Sequence, residues 1–276
     1  MAPPFRRIGI AGLGLIGGSI ARGLRARWTD THLIGVDTPD VLDAARSAGV
    51  VHDTRASVQA LTDVELVVLA APVPVIIESI AELGSVPFDG IVLDVGSTKR
   101  SILAAAEAAG LERFVGSHPM AGSERGGFDQ SRPDLFLDRP WFIVPPAYGS
   151  RSDDRLAVDQ LVRALGAMPV HVDATTHDRT VAYVSHLPQL LSVALMNTAA
   201  DGCGDDGLQH TGRGFADMTR LAQSPAELWK GIVDSNRDCI SEAARELMTH
   251  LEALLDPDTR RLDAAFAQAQ TRQRTV

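Results

Sequence analysis

The sequence predicts an α/β fold in two parts: a mostly parallel sheet covered by helices over residues 1–172, and a smaller all-helical domain over residues 173–276. Three observations carry this. Short, almost wholly apolar runs alternate with helical patterns from residue 5 to about residue 172, as strands buried on both faces do. Strand signals cease after Asp173, where long helical stretches take over. The first strand–turn–helix passage contains Gly12-Leu13-Gly14-Leu15-Ile16-Gly17, which makes the sheet domain Rossmann-type.

The elements follow in order. Strands are expected at 8–11, 33–36, 66–70, 91–94, 114–117, 141–144 and 168–172, with helices at 19–27, 41–48, 73–83, 102–109 and 153–165 between them. The helical half reads as 176–200, 226–236, 237–255 and 259–273. Pro188 falls inside the first of these and predicts a kink, because it lacks an N–H and its ring crowds the preceding turn. The glycine-rich stretch 202–214 reads as a turn between helices.

The glycine run sits where a dinucleotide would need it. Gly12 permits the tight turn, Gly14 lets backbone approach a pyrophosphate, and Gly17 lets helix pack on strand. Leu15 and Ile16 open the helix, whose N-terminal N–H groups favour phosphate. About twenty residues on, the next strand ends in Asp37, placed to accept hydrogen bonds from the adenosine ribose. Its charge repels a 2′-phosphate, and Thr38-Pro39-Asp40 supplies no arginine to receive one, so the expected cofactor is NAD. Arg6-Arg7 before an apolar run superficially resembles a signal peptide, but the glycines in that run argue against it.

Bulk properties narrow the class. The 276 residues are 45% hydrophobic and only 5% aromatic, so the core is aliphatic. A net charge of −9 without a basic run excludes phosphate-backbone binding, so no nucleic-acid partner is expected. No apolar stretch approaches the roughly 20 residues of a membrane span. Cys203 and Cys239 form neither a metal motif nor a disulfide framework, so no metal is expected and a cytoplasmic location is. The long apolar stripes of so small a helical domain point to a homodimer formed through it.

Three segments carry chemistry. In Asp94-Val95-Gly96-Ser97-Thr98-Lys99, running from a strand end into a helix, Ser97 or Thr98 reads as a helix cap, as a group facing the nicotinamide, or as both; Lys99 reads equally as a surface charge. In the second, Ser117-His118-Pro119, proline holds His118 extended at a strand's carboxyl end, ahead of a glycine-rich loop with Ser123 and Glu124. A hydroxyl that loses hydride needs a base there, and histidine suits it near neutral pH. In the helical half, His177 and His186 lie nine residues apart, on opposite faces of a regular helix, so only one is expected to face the cofactor; the kink favours His186. Arg220, in an apolar neighbourhood, fits either a substrate carboxylate or a surface pair with Asp217 or Glu227.

Taken together, these motifs resemble the prephenate and arogenate dehydrogenases of tyrosine biosynthesis. The matching pieces are Gly12–Gly17 with Asp37, the Asp94–Lys99 loop, Ser117 to Glu124, His177-Asp178, Ser185-His186-Leu187-Pro188, and Phe215 to Arg220 with Trp229. The resemblance implies oxidative decarboxylation of a cyclohexadienyl acid, prephenate or alternatively arogenate. It implies that His118 takes the C4 hydroxyl proton, Ser97 holds that hydroxyl, Arg220 binds the side-chain carboxylate with help from His186, and Ser123, Glu124 and Lys99 complete the pocket. No fused chorismate mutase or sensing domain is expected, so tyrosine inhibition is expected to be competitive. Two other readings keep the nucleotide fold: a β-hydroxyacid or imine reductase, which would leave the His118 loop without a purpose, and a non-catalytic NAD sensor, which would not need His118, Ser97 and Arg220 together.

Overall fold

Residues 3–123, 125–145 and 151–274 are described by the computed structural model. Eight strands form one sheet in the order β3-β2-β1-β4-β5-β6-β7-β8. They are β1 (Arg7–Ala11), β2 (His32–Val36), β3 (Asp53–Thr54), β4 (Leu66–Leu69), β5 (Ile91–Asp94), β6 (Phe114–Pro119), β7 (Pro140–Val144) and β8 (Met168–His171). Every neighbouring pair is parallel except β6 with β7. All the expected strands are present; the two-residue β3 was not anticipated, being too short and too polar to show a pattern.

The connecting helices are α1 (Leu15–Arg27), α2 (Pro39–Ser47), α3 (Val73–Gly84), α4 (Arg100–Ala108) and α5 (Ser152–Ala164). Alternate residues of β1, β2, β4, β5 and β6 feed two cores, which is why these strands read as continuous apolar runs. Ile8, Ile10, Leu33, Val68, Leu93 and Trp141 pack on one face with Ile20 and Leu24 of α1 and Leu161 of α5. On the other face Ile34, Val67, Leu69, Val92 and Phe114 meet Ile76 and Ile80 of α3 and Ile102 of α4. From β1 the chain winds outward to β2 and β3, then returns to β4 on the opposite side. The crevice beyond the carboxyl ends of β1 and β4 is thus the switch point at which such sheets bind ligands.

The second part contains α6 (Ala174–Val181), a π-helical turn at Ala182–His186, α7 (Leu187–Leu208), α8 (Arg213–Thr219), a 3₁₀ turn at Arg220–Gln223, α9 (Ala226–Ser235), α10 (Arg237–Leu254) and α11 (Thr259–Gln273). The irregularity expected at Pro188 appears as the π turn just before it. Stretch 202–214 is not simply a turn. Helix α7 continues to Leu208, broken only at Gly204 (φ 66°, ψ 179°), and α8 begins at Arg213. Among the described residues no helix is long and apolar enough to cross a membrane.

Candidate active site

The nucleotide end is built by backbone geometry. Gly12 has φ of 91°, and a Cβ on it would lie 2.3 Å from the Ala70 carbonyl oxygen just beyond β4. A Cβ on Gly17 would stand 1.8 Å from the Gly12 carbonyl oxygen, so α1 approaches the turn as only glycine allows. At Gly14, by contrast, a Cβ would meet nothing within 4 Å. This backbone is open toward the crevice, and among the described residues no side chain caps α1, so the N–H groups of Leu15, Ile16 and Gly17 are available to an anion. Asp37 Oδ2 accepts from Leu13 N (2.6 Å) and Oδ1 from Thr38 N (2.7 Å). The carboxylate therefore clamps the glycine turn, and each oxygen keeps lone-pair capacity for ribose hydroxyls. These residues fit a dinucleotide.

That opening continues into a cleft of about 670 Å³ between the sheet and the helices, bordered by Leu15, Ser97, His118, Ser123, His186 and Arg220. Six expected residues, drawn from distant parts of the chain, meet around one space. Ser123 also accepts from Arg125 N through Oγ (3.3 Å). Glu124 lies outside the described residues. Arg220 opens the 3₁₀ turn after α8, while Asp217 lies beside Arg213 (3.8 Å) and Glu227 beside Lys230 (2.5 Å). A cavity of similar size, about 650 Å³, lies behind α4 near Phe114 and Asp173, and none of these residues borders it.

His118 heads a chain of buried groups. Its Nδ1 stands 3.0 Å from His177 Nε2, and His177 Nδ1 stands 2.8 Å from Asp178 Oδ1. The other ring nitrogen of His118, Nε2, has no hydrogen-bond partner among the described residues, and His118 borders the cleft. Burial drives the His118 pKa well below the ordinary value, and the nearby His177, Lys99 and His186 act in the same direction. The imidazole is therefore neutral at pH 7, with a lone pair available to a hydroxyl held against it. Burial also pushes the Asp178 carboxyl up, but hydrogen bonds from His177 and from Arg100 N and Lys99 N outweigh it and hold it below the usual carboxylate range.

Three expectations change here. Lys99 does not reach the cleft: its side chain is wholly buried, with Nζ bonded to Asp94 Oδ2 and to the Ser117 carbonyl (2.7 Å). A lysine can enter the core because Asp94 compensates it, and the pair ties β5 to the strand carrying His118. Nor does Ser97 or Thr98 cap α4. Asp178, from the helical part, accepts from Lys99 N (2.7 Å) and Arg100 N (3.0 Å), while Thr98 Oγ1 pairs with Ser235 Oγ (2.8 Å). Finally, His177 and His186 both turn toward the His118 region. The five-residue π turn between them advances the chain less per residue than an α-helix, so the opposite-face argument fails.

His186 is 1% exposed, and burial lowers its pKa to about 4. Its Nδ1 accepts from Asn236 Nδ2 (3.3 Å), which leaves a proton on Nε2, and that atom has no protein partner among the described residues. The Trp229 ring lies edge-on, 6.0 Å away. Residue-by-residue reading missed Asn236 and Gln189. Gln189 borders the cleft, donating from Nε2 to the Leu221 carbonyl (2.7 Å) and accepting from Ser224 (3.3 Å). Polar residues buried in helices leave no periodic signal; only the apolar neighbours of Gln189 on α7 hint that it faces inward.

A dinucleotide crevice opening onto a buried, neutral histidine defines an NAD-dependent dehydrogenase. The particular family is also shown. The profile of the prephenate dehydrogenase nucleotide-binding domain matches residues 20–173, and that of the prephenate dehydrogenase dimerization domain matches residues 173–258. The chain is 29% identical over 264 residues to prephenate dehydrogenase of Lactococcus lactis (93% of this chain, 72% of that one). It is 30% identical over 257 residues to that of Bacillus subtilis (89% and 68%). The crystal structure of prephenate dehydrogenase from A. aeolicus in complex with hydroxyphenyl propionate and NAD+ superposes with a TM-score of 0.89 at 25% identity (98% of this chain, 96% of that one). This chain belongs to the prephenate dehydrogenase family.

Proposed function

We propose that the chain catalyses NAD-dependent oxidative decarboxylation of prephenate to 4-hydroxyphenylpyruvate, the step that forms the aromatic ring of tyrosine. The single observation that carries this is the meeting of His118, Ser97 and Arg220 around one cleft that begins at the N-terminus of α1. NAD, when bound, supplies the hydride acceptor. The chain's own residues do the rest. The glycine turn and α1 receive the pyrophosphate, and Asp37 receives the ribose. Ser97 orients the C4 hydroxyl, and His118 takes its proton on Nε2. Arg220 holds the side-chain carboxylate, with the His186 Nε2–H as a neutral donor and Ser123 at the rim. Aromatisation drives the loss of carbon dioxide, so the site works by orientation and proton handling.

The exposed apolar residues Met248 and Leu251 on α10, Leu255 just after it and Phe266 on α11 support a homodimer through the helical part. The unpaired, exposed Cys203 fits a cytoplasmic location. The test is to follow NADH formation with NAD and either prephenate or arogenate. Turnover of prephenate is expected, and His118→Asn should cut kcat by about 10²–10⁴-fold with little change in substrate affinity. No NADH from prephenate, or a His118→Asn enzyme of near-normal turnover, would reject the proposal.

A further inference from the structure

The proton balance of this reaction constrains its machinery. As hydride leaves C4, the hydroxyl proton moves to a base and C4 becomes a carbonyl carbon. When the C1–carboxylate bond breaks, its electron pair enters the ring and the C4 oxygen becomes a phenolate, which takes a proton back. One proton goes out, one returns and none is released. The base therefore needs a place to hold a proton, not a route to solvent.

We propose that His177 is that holding place: His118 takes the hydroxyl proton on Nε2 and passes its Nδ1 proton to His177 Nε2, and the two transfers reverse when the ring becomes aromatic. This rests on the dehydrogenase reading above. The hydrogen-bond geometry supplies the path. An ionised Asp178 can only accept, so His177 carries its proton on Nδ1, 2.8 Å from Asp178 Oδ1. The bare His177 Nε2 then accepts from His118 Nδ1 at 3.0 Å, which leaves His118 Nε2 bare toward the substrate. Asp178 is anchored by Lys99 N, Arg100 N and Arg100 Nε, so it is not free to swing to His118.

A positive charge is better placed on His177 than on His118. His177 sits against a carboxylate. His118 has His177 as its hydrogen-bonded partner and feels the Lys99 and His186 side chains against it. The surroundings of His177 are the Phe142 ring edge-on at 5.2 Å, the Lys99 ammonium, which is bonded to Asp94, and Asp178, whose far oxygen is bonded to Arg100, itself paired with Asp238. Burial pushes His177 down, and the Asp178 hydrogen bond lifts it part of the way back. His177 and Asp178 are both wholly buried, so the relay ends inside the protein, as a returning proton requires.

His177→Gln tests the proposal. Glutamine can accept from His118 Nδ1 and donate to Asp178, so it keeps the geometry but cannot take a proton. In the full-length enzyme we expect kcat to fall at least tenfold, with KM within about twofold and melting temperature nearly unchanged. The solvent proton inventory should change from curved, with two protons in flight, to linear. An enzyme with unchanged kcat and inventory would reduce His177 to a packing role. Imidazole ¹⁵N spectra of the unmodified protein give a readout independent of turnover. They should show His118 unprotonated at Nε2, with His177 becoming the imidazolium first as pH falls; the reverse order overturns the relay. Absence of turnover in the unmodified protein would count against the dehydrogenase reading instead.

Discussion

Asp94 and Lys99 form an ion pair with no solvent exposure on either side chain, directly beneath the residue that precedes His118. Asp94 also accepts from Gly96 N (2.8 Å) and Ser117 N (3.3 Å), and Ser117 Oγ donates back to the Asp94 carbonyl (2.6 Å). The strand end that presents His118 is thus fixed to its neighbour by charge as well as by the ladder. Burial pushes the Asp94 carboxyl up and the Lys99 ammonium down, so each charge is sustained by the other.

Removing one partner strands the other. Lys99→Met should lower unfolding free energy by about 3–5 kcal/mol, read from urea midpoints, and the double variant Asp94→Asn with Lys99→Met should recover most of that. A Lys99→Met protein of normal stability with impaired substrate binding would restore Lys99 to the substrate site.

The glycine turn separates two roles by position. Gly17→Ala should cost about 1–3 kcal/mol of stability, because its Cβ would overlap the Gly12 carbonyl. The methyl of Gly14→Ala meets nothing within 4 Å among the described residues, so this variant should melt normally, yet that methyl would project where the pyrophosphate approaches. NAD titration by calorimetry should show at least tenfold weaker binding for Gly14→Ala. Equal affinity would move the pyrophosphate away from Gly14.

Much of this architecture was legible in the chain. Apolar runs such as Leu66–Leu69 declare themselves because both faces of the sheet are covered, and Gly12, Gly14, Gly17 and Asp37 declare a crevice because backbone conformation demands them. His118 was legible from its proline and its strand end. What was hidden depends on contacts distant in sequence. Nothing near Lys99 announces that it turns inward to Asp94, and nothing near Asp178 announces that it caps a helix in the other half of the molecule. His177 was hidden for another reason: a local π turn broke the helical phase on which its exclusion rested.

Arg220 tests the division of labour across the cleft. A charge-assisted contact is worth about 1.5–3 kcal/mol, so Arg220→Ala should raise KM for prephenate by about 10–150-fold with kcat less affected. Arg220→Lys should recover only part of this, since an ammonium lacks the planar two-pronged geometry that matches a carboxylate. Steady-state kinetics with both variants decides the matter. An unchanged KM in Arg220→Ala would assign the guanidinium to a structural ion pair.

The buried histidines also set the acid limit of the fold. His186 is held at about 4, against 6.5 for an unburied imidazole, chiefly by desolvation, and His118 and His177 are shifted in the same direction. Above pH 6.5 the folded and unfolded states both carry His186 neutral, and it contributes no pH dependence. Between 6.5 and 4 the unfolded chain binds a proton that the fold refuses, so stability falls as pH falls. The loss from His186 alone reaches about 3 kcal/mol, and below pH 4 it grows no further. Unfolding free energies at pH 7 and pH 4.5 should therefore differ markedly in the unmodified protein. In His186→Gln the difference should shrink by close to the contribution of one proton. An undiminished pH dependence in that variant would show that His186 takes up its proton without cost inside the folded protein.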